Sequence, residues 1–240
     1  MLESSVSFLA RAMQRRSFFR VAGATLATST LVLAGCKDDD KEPAAPVTTN
    51  VLAFNGFDAN GNPIDDGVLN YAYLLEQLEA AFYTKVVAAP PADLLPGELA
   101  FLTDLRDHEL IHREYLKVAL GSKAYDASAT TPLAFNFSSL TLTTRVGVWT
   151  AAQQLEDIGV AAYNGAGKLL TVTANLLALG KIASVEARHA ALVHEVLQSD
   201  SFASTVGADG LDDAKTPTEV IELIKPFLPI EVSVAALPTA

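Results

Sequence analysis

Cysteine is almost absent from this sequence, whose 240 residues include only Cys36. A single cysteine excludes an intrachain disulfide framework, a zinc site with several thiolates and an iron–sulfur cluster held by one chain. Basic residues are also few: 17 Lys and Arg stand against 28 Asp and Glu, a formal charge of −11. So acidic a surface repels phosphate, and nucleic acid is therefore not expected as a partner.

The N-terminal apolar run is too short to span a membrane comfortably. It covers residues 21–35, whereas a membrane-spanning helix needs about 20 apolar residues. Arg15 and Arg16 precede this run and small residues end it, a pattern typical of a signal peptide of the twin-arginine type. We therefore predict an export signal over residues 1–35.

Leu33-Ala34-Gly35-Cys36 resembles a bacterial lipobox, in which the cysteine becomes the lipidated first residue of the mature protein. The resemblance implies a lipid anchor in a membrane of the cell envelope, on the periplasmic side or at the cell surface. An ordinary signal peptide with an unmodified Cys36 is the alternative.

The mature chain shows a helical pattern. Half of all residues are hydrophobic, and apolar residues recur at steps of three and four in four segments, approximately 68–88, 96–120, 141–165 and 171–198. Short links join the first to the second and the third to the fourth, and the long segment 121–140 separates the two pairs. This connectivity predicts an all-α four-helix bundle of two antiparallel hairpins with one long crossover, as in ferritin-like folds.

The regions flanking the bundle are predicted to be smaller structures. Residues 36–64 form a lipidated tether and lead-in, with a hairpin or irregular structure around Asn60-Gly61-Asn62-Pro63. The bundle occupies 65–200, and the C-terminal extension 201–240 contains a short helix. The capping-box pattern Thr216-Pro217-Thr218-Glu219 marks the start of that helix.

Two Glu-x-x-His motifs lie on the second and fourth predicted helices. They are Glu109 with His112, and Glu186 with His189. Residues three apart share one helical face, so each pair can direct both side chains at one point.

The first and third predicted helices carry a matching motif, a glutamate with a tyrosine seven residues later. Glu76 precedes Tyr83, and Glu156 precedes Tyr163. Seven residues are about two helical turns, so each tyrosine lies on the face of its glutamate. The two halves of the chain therefore repeat one scheme, which is far more specific than a single Glu-x-x-His.

Metal ions would compensate the negative charge that four glutamates bring into the bundle. Four glutamates inside one bundle would repel one another and lose their hydration. Two divalent ions cancel four carboxylate charges, and oxygen with imidazole ligands suits iron or manganese. We expect Glu109 and Glu186 to bridge the two ions, because their helices also supply the histidines.

At these residues the chain resembles the ferritin-like superfamily, and in particular the ferritin-like domain family that includes desiccation-related proteins. The resemblance rests on Leu75-Glu76-Gln77-Leu78-Glu79-Ala80-Ala81-Phe82-Tyr83 and Glu186-Ala187-Arg188-His189-Ala190. It implies a di-iron or di-manganese site whose ligands are Glu76, Glu109, His112, Glu156, Glu186 and His189. Members of the superfamily include ferroxidases, peroxidases and manganese catalases, so whether this protein is an enzyme stays open.

Several alternatives remain for these residues. Glu79 competes with Glu76 as the ligand from the first helix, and either could be a solvated surface residue. His108-Glu109-Leu110-Ile111-His112 also matches the His-Glu-x-x-His pattern of zinc proteases, which would leave the other motifs unexplained. His194 is expected at the surface or in packing.

Tyr83 and Tyr163 are the candidates for chemistry beside the metals, by hydrogen bonding to carboxylates or passing electrons. Ordinary core packing explains both tyrosines equally well. A metal-free bundle that serves as a binding or stress-protection module of the envelope is the alternative for the whole site.

The activity expected of such a centre is ferroxidase-like or catalase-like redox chemistry, and oxidative stress protection is the role expected to go with it. Its partners would be a membrane, through the lipid anchor, and a metal ion or a small oxidant, either dioxygen or hydrogen peroxide. The oligomeric state stays open, with a dimer as one option.

Overall fold

A computed structural model describes residues 51–239 of the chain. The predicted signal peptide, the predicted lipidation site Cys36 and the predicted tether up to residue 50 lie outside the described residues, so all three stay predictions.

Four long helices form the body of the protein, as predicted. They are α1 (Asp66–Ala88), α2 (Glu98–Leu120), α3 (Arg145–Ala166) and α4 (Thr173–Leu197). Helix α1 packs along α2, α3 packs along α4, and α1 contacts α3. The segment between α2 and α3 is the long crossover, and the bundle of two helix hairpins is thereby confirmed.

The helix starts differ from the predicted ones by a few residues for local reasons. Helix α2 begins after Gly97, whose φ of +94° is not helical, rather than at Pro96. Helix α3 begins after Thr144, whose hydroxyl accepts a hydrogen bond from the Gly147 amide and caps the helix.

A buried carboxylate holds the start of α4 against the start of α1. Asp65 accepts hydrogen bonds of 2.8 Å from the amide and the hydroxyl of Thr171, and it also bonds to Val172 and Asn175. Burial would raise the pKa of Asp65, but these hydrogen bonds outweigh it and lower the pKa. The two helix hairpins are thereby joined at one end.

The flanking segments form a small parallel sheet that was not predicted. Strand β1 (Val51–Asn55) pairs with β2 (Glu231–Ala236) near the C-terminus. The lead-in also contains the expected turn, because Phe57 pairs with Pro63 in antiparallel fashion. The short helix α5 (Pro217–Ile224) begins at the predicted capping box, in which Thr216 and Glu219 bond reciprocally.

Helices α1 and α3 are more deeply buried than α2 and α4. Most residues of α1 and α3 are buried, whereas α2 and α4 bury one stripe and expose the rest. The histidine-bearing helices therefore have an outer face in water and an inner face in the core. Within residues 51–239 no helix has the length and hydropathy of a membrane span.

Candidate metal centre

Six polar side chains converge in the middle of the bundle. The four glutamates are completely buried, and the two histidines are less than 10% exposed. Each of the four long helices contributes at least one of these residues, which are Glu76, Glu109, His112, Glu156, Glu186 and His189.

The six residues form two overlapping groups of four. In each group the closest nitrogen and oxygen atoms lie within 4.8 Å of one another. One group consists of Glu76, Glu109, His112 and Glu186, and the other of Glu109, Glu156, Glu186 and His189. Glu109 and Glu186 belong to both, which is the arrangement expected of carboxylates that lie between two ions.

The Nδ1 atom of each histidine points into the cluster and towards the opposite histidine-bearing helix. Nδ1 of His112 on α2 lies 2.7 Å from Oε1 of Glu186 on α4. Nδ1 of His189 on α4 lies 2.8 Å from Oε1 of Glu109 on α2. The two halves of the site are therefore interleaved, and each histidine approaches the glutamate of the other motif.

The donor set fits divalent metal ions. Several buried atoms of the cluster have no hydrogen-bond partner, namely Glu76 Oε2, both oxygens of Glu109, His112 Nδ1, Glu156 Oε2 and Glu186 Oε1. Buried polar atoms are nearly always paired. Nδ1 of His112 and Oε1 of Glu186 lie only 2.7 Å apart, yet neither atom forms a hydrogen bond. This buried set of carboxylates and imidazoles can therefore hold metal ions.

Protons must balance the charges of the cluster when no metal does so. Burial and the charge of Glu186 raise the pKa of Glu76 well above its usual range. Burial raises the pKa of Glu156 in the same way. For Glu109 burial acts in the same direction, but His112 and His189 outweigh it and lower the pKa to about 2.

The two histidines take up protons for the complementary reason. Burial would lower the pKa of His189, but contacts with Glu109 and Glu186 raise it to about 11. Burial is likewise outweighed at His112, where contacts with three glutamates raise the pKa strongly. A metal ligand must be a neutral imidazole or an ionised carboxylate, so metal binding to this cluster displaces protons.

Two tyrosines support the carboxylates across the α1–α3 contact. The hydroxyl of Tyr83 on α1 donates a hydrogen bond of 2.5 Å to Glu156 on α3. The hydroxyl of Tyr163 on α3 donates to Glu76 on α1. Each tyrosine thus bonds to the glutamate of the other helix, not to the one seven residues before it. Burial raises the pKa of both phenols well above 10, so both remain donors.

Glu79 is a further buried carboxylate beside the four glutamates of the cluster. It is 3% exposed, and its Oε2 has no hydrogen-bond partner. Glu76 is completely buried, so neither glutamate is the solvated surface residue of the alternative interpretation. Glu79 belongs to neither ligand group. Burial raises its pKa well above the usual range.

The space for Glu79 comes from a glycine on the facing helix. Gly159 stands three residues after Glu156, as Glu79 stands three after Glu76. A Cβ atom at position 159 would lie 2.7 Å from Oε1 of Glu79. Sequence reasoning missed this pair, although a glycine at the repeat-equivalent position was a signal for it.

The remaining histidines have different surroundings. His108 is partly exposed and belongs to neither ligand group; its Nδ1 lies 2.9 Å from Nε2 of His189. The zinc-protease pattern needs His108 and His112 on one ion, whereas here His108 contacts another histidine. His194 is buried and pairs with Asp157 at 2.8 Å, outside the cluster, in accordance with a packing role.

The model of the ferritin-like domain family matches residues 64–199, more than half of the sequence. The chain belongs to the ferritin-like domain family. The match extends over α1 to α4 and therefore contains the whole buried cluster. A comparison with curated proteins finds no significant match.

Proposed function

We propose that this ferritin-like protein binds two metal ions, iron or manganese, in the centre of its bundle. The observation that carries the proposal is the sharing of Glu109 and Glu186 by two four-residue groups. In this assignment Glu76 and His112 complete one position, and Glu156 and His189 complete the other. The positive charge of two divalent ions then balances the negative charge of the four carboxylates in these groups.

We further propose redox chemistry at this centre, with Fe(II), dioxygen or hydrogen peroxide as the reactant. Bound iron or manganese would supply the electrons that such oxidants accept. The chain contributes a buried, preorganised ligand set, in which Tyr83 and Tyr163 hold Glu156 and Glu76 in place. Protection of the cell against oxidative stress or desiccation is the corresponding biological role.

The site of action in this proposal is the cell envelope. Support comes from the sequence: the twin arginines, the short apolar run and Cys36 at the end of a lipobox. A lipid anchor would attach the bundle to a membrane through the tether that begins at Cys36.

Metal analysis of the purified mature protein tests the central claim. After reconstitution with Fe(II) or Mn(II) and removal of excess ions, we expect two equivalents per chain. The variant Glu186→Ala should bind markedly less, because it removes a residue common to both positions. Wild-type protein without bound metal would support the metal-free binding module instead.

An activity assay then distinguishes the reactions. Iron-loaded and manganese-loaded proteins are mixed separately with hydrogen peroxide and with Fe(II) plus dioxygen, and oxygen release and Fe(III) formation are followed. Rapid peroxide loss with oxygen release indicates catalase-like chemistry, and Fe(III) formation indicates ferroxidase-like chemistry. Rates equal to those of Glu186→Ala in both assays would contradict the redox proposal.

A further inference from the structure

The two halves of the chain repeat the same Glu–Tyr and Glu-x-x-His scheme, but they differ at the residue that precedes each Glu-x-x-His motif. In the first half this residue is His108, directly before Glu109. In the second half it is Val185, directly before Glu186. A valine side chain has no hydrogen-bonding atom, whereas an imidazole has two. The two halves of the chain therefore differ in their capacity for hydrogen bonding next to the Glu-x-x-His motif.

His108 contacts the outward-facing nitrogen of His189. Nδ1 of His189 points at the glutamates, and Nε2 of the same ring lies 2.9 Å from Nδ1 of His108. The two rings are nearly parallel, with an interplanar angle of 17°. His108 is partly exposed and His189 is 5% exposed, so His108 lies on the solvent side of the buried ring.

This contact is compatible with the tautomer of His189 that a metal ion at its Nδ1 requires. A neutral imidazole carries its proton on one nitrogen and a lone pair on the other. When Nε2–H of His189 donates a hydrogen bond to Nδ1 of His108, the lone pair of His189 is on its own Nδ1, the atom that faces the cluster. A partner at the far nitrogen of a metal-binding histidine fixes both its tautomer and its ring orientation.

We propose that His108 is a positioning residue for the His189 half of the centre and makes the two metal positions unequal. The inference rests on the proposed dinuclear centre. The ion held by Glu156 and His189 is expected to bind more tightly, because His108 orients the imidazole of His189 in advance. Val185 has no hydrogen-bonding atom with which to orient His112 in the same way. The two ions are therefore expected to bind with different affinities, and His108 is responsible for part of that difference.

Metal titration of three variants tests the proposal. His108→Leu removes the acceptor but keeps an apolar side chain of similar bulk, and His108→Asn places an oxygen near the former Nδ1. We expect His108→Leu to weaken one of two Mn(II)-binding steps roughly 10- to 100-fold, the usual cost of losing such a partner. His108→Asn should recover most of that loss, and Val185→Ala should leave both steps unchanged.

A double-mutant comparison assigns the effect to His189. In the background of His189→Ala the change His108→Leu should have no further effect on Mn(II) affinity, whereas in His112→Ala it should keep its full effect. Equal weakening of both steps, or an effect that persists in His189→Ala, would overturn the inference. An unchanged titration of His108→Leu would also overturn it while leaving the dinuclear centre intact. Wild-type protein that binds no metal would overturn both.

Discussion

The hydroxyl of Tyr83 on α1 donates a 2.5 Å hydrogen bond to the carboxylate of Glu156 on α3. Tyr163 makes the reciprocal bond from α3 to Glu76 on α1. These two bonds join the helices that contribute no histidine to the cluster, and they hold one oxygen of Glu156 and one oxygen of Glu76. Metal ions can then use the oxygens that remain free, including Oε2 of Glu76 and Oε2 of Glu156.

Tyr83→Phe should destabilise the protein, because it leaves a buried carboxyl oxygen without its donor. The expected loss is about 1–3 kcal/mol in the free energy of unfolding, measured by urea denaturation of the metal-free protein. Tyr71→Phe is a matched control: the Tyr71 hydroxyl is buried without a partner, so its removal should be neutral or stabilising. Equal losses in both variants would mean that the bond to Glu156 contributes nothing specific.

The repeated motifs were predictable from sequence because their geometry is local to each helix. A glutamate and a histidine three residues apart share a face in any α-helix, so the convergence of Glu109 with His112 needed no tertiary information. The pairing of β1 with β2 could not be predicted, because it joins residues near 51 to residues near 231 without a sequence signal in either. The burial of Glu79 was missed because it depends on Gly159, a residue of another helix.

Gly159→Ala should destabilise the bundle, although alanine favours a helix. The new methyl group would lie 2.7 Å from Oε1 of Glu79, and that buried carboxylate has no solvent to move into. Overpacking of this kind costs about 1–3 kcal/mol, which exceeds the helix-propensity gain of up to about 1 kcal/mol. Urea denaturation measures the difference.

Two variants complete the test of this contact. Gly180 lies in α4 with nothing within 4 Å of its would-be Cβ, so Gly180→Ala should stabilise by about 0.5–1 kcal/mol. Glu79→Ala should restore the stability lost in Gly159→Ala, since it removes the crowded carboxylate. A Gly159→Ala protein as stable as Gly180→Ala would show that Glu79 does not fill this space.

The zinc-protease alternative makes the opposite prediction from the bundle site for two variants. In a zinc protease, His108→Ala abolishes metal binding and Glu186→Ala leaves it intact. We expect Glu186→Ala to lose most metal, because Glu186 belongs to both ligand groups, and His108→Ala to retain metal with reduced affinity. Metal content after desalting, measured by atomic emission, decides between them; the protease pattern of losses would refute the ligand assignment.

The predicted export and anchoring are separable by substitution at the N-terminus. Cys36→Ser should move the protein from the membrane fraction to a soluble fraction, because it removes the residue to be lipidated. Arg15→Lys with Arg16→Lys should block export by the twin-arginine route. Unchanged membrane attachment of Cys36→Ser argues against the lipobox, and normal export of the double variant points to the general secretory route.

The pH dependence of stability should reverse when metal is removed. In the metal-free protein the pKa of Glu76, Glu79 and Glu156 lies well above 4.5. Folded chains then hold more protons than unfolded chains above pH 4.5, and stability falls as the pH rises. His189 adds to this trend, because its pKa of about 11 exceeds the ordinary 6.5 and its contribution is lost as the pH rises through that range.

Glu109 acts in the opposite direction but outside this pH window. Its pKa of about 2 lies below 4.5, so its stabilising contribution is complete above pH 4.5 and is lost only as the pH falls towards 2. Glu109→Gln should therefore destabilise the metal-free protein at neutral pH, because it removes the counter-ion of two protonated histidines. Glu79→Gln should stabilise the same protein, since it removes a group that must take up a proton on folding.

Melting temperatures from pH 4.5 to 9, measured with a chelator and with saturating Mn(II), test this prediction. The metal-free protein should melt at progressively lower temperatures as the pH rises, and Glu79→Gln should flatten that decline. With metal the trend should reverse, because bound ions replace the protons and stabilise the fold by mass action, and acid then competes for the ligands. Parallel pH profiles with and without metal would mean that these buried groups do not exchange protons for metal ions.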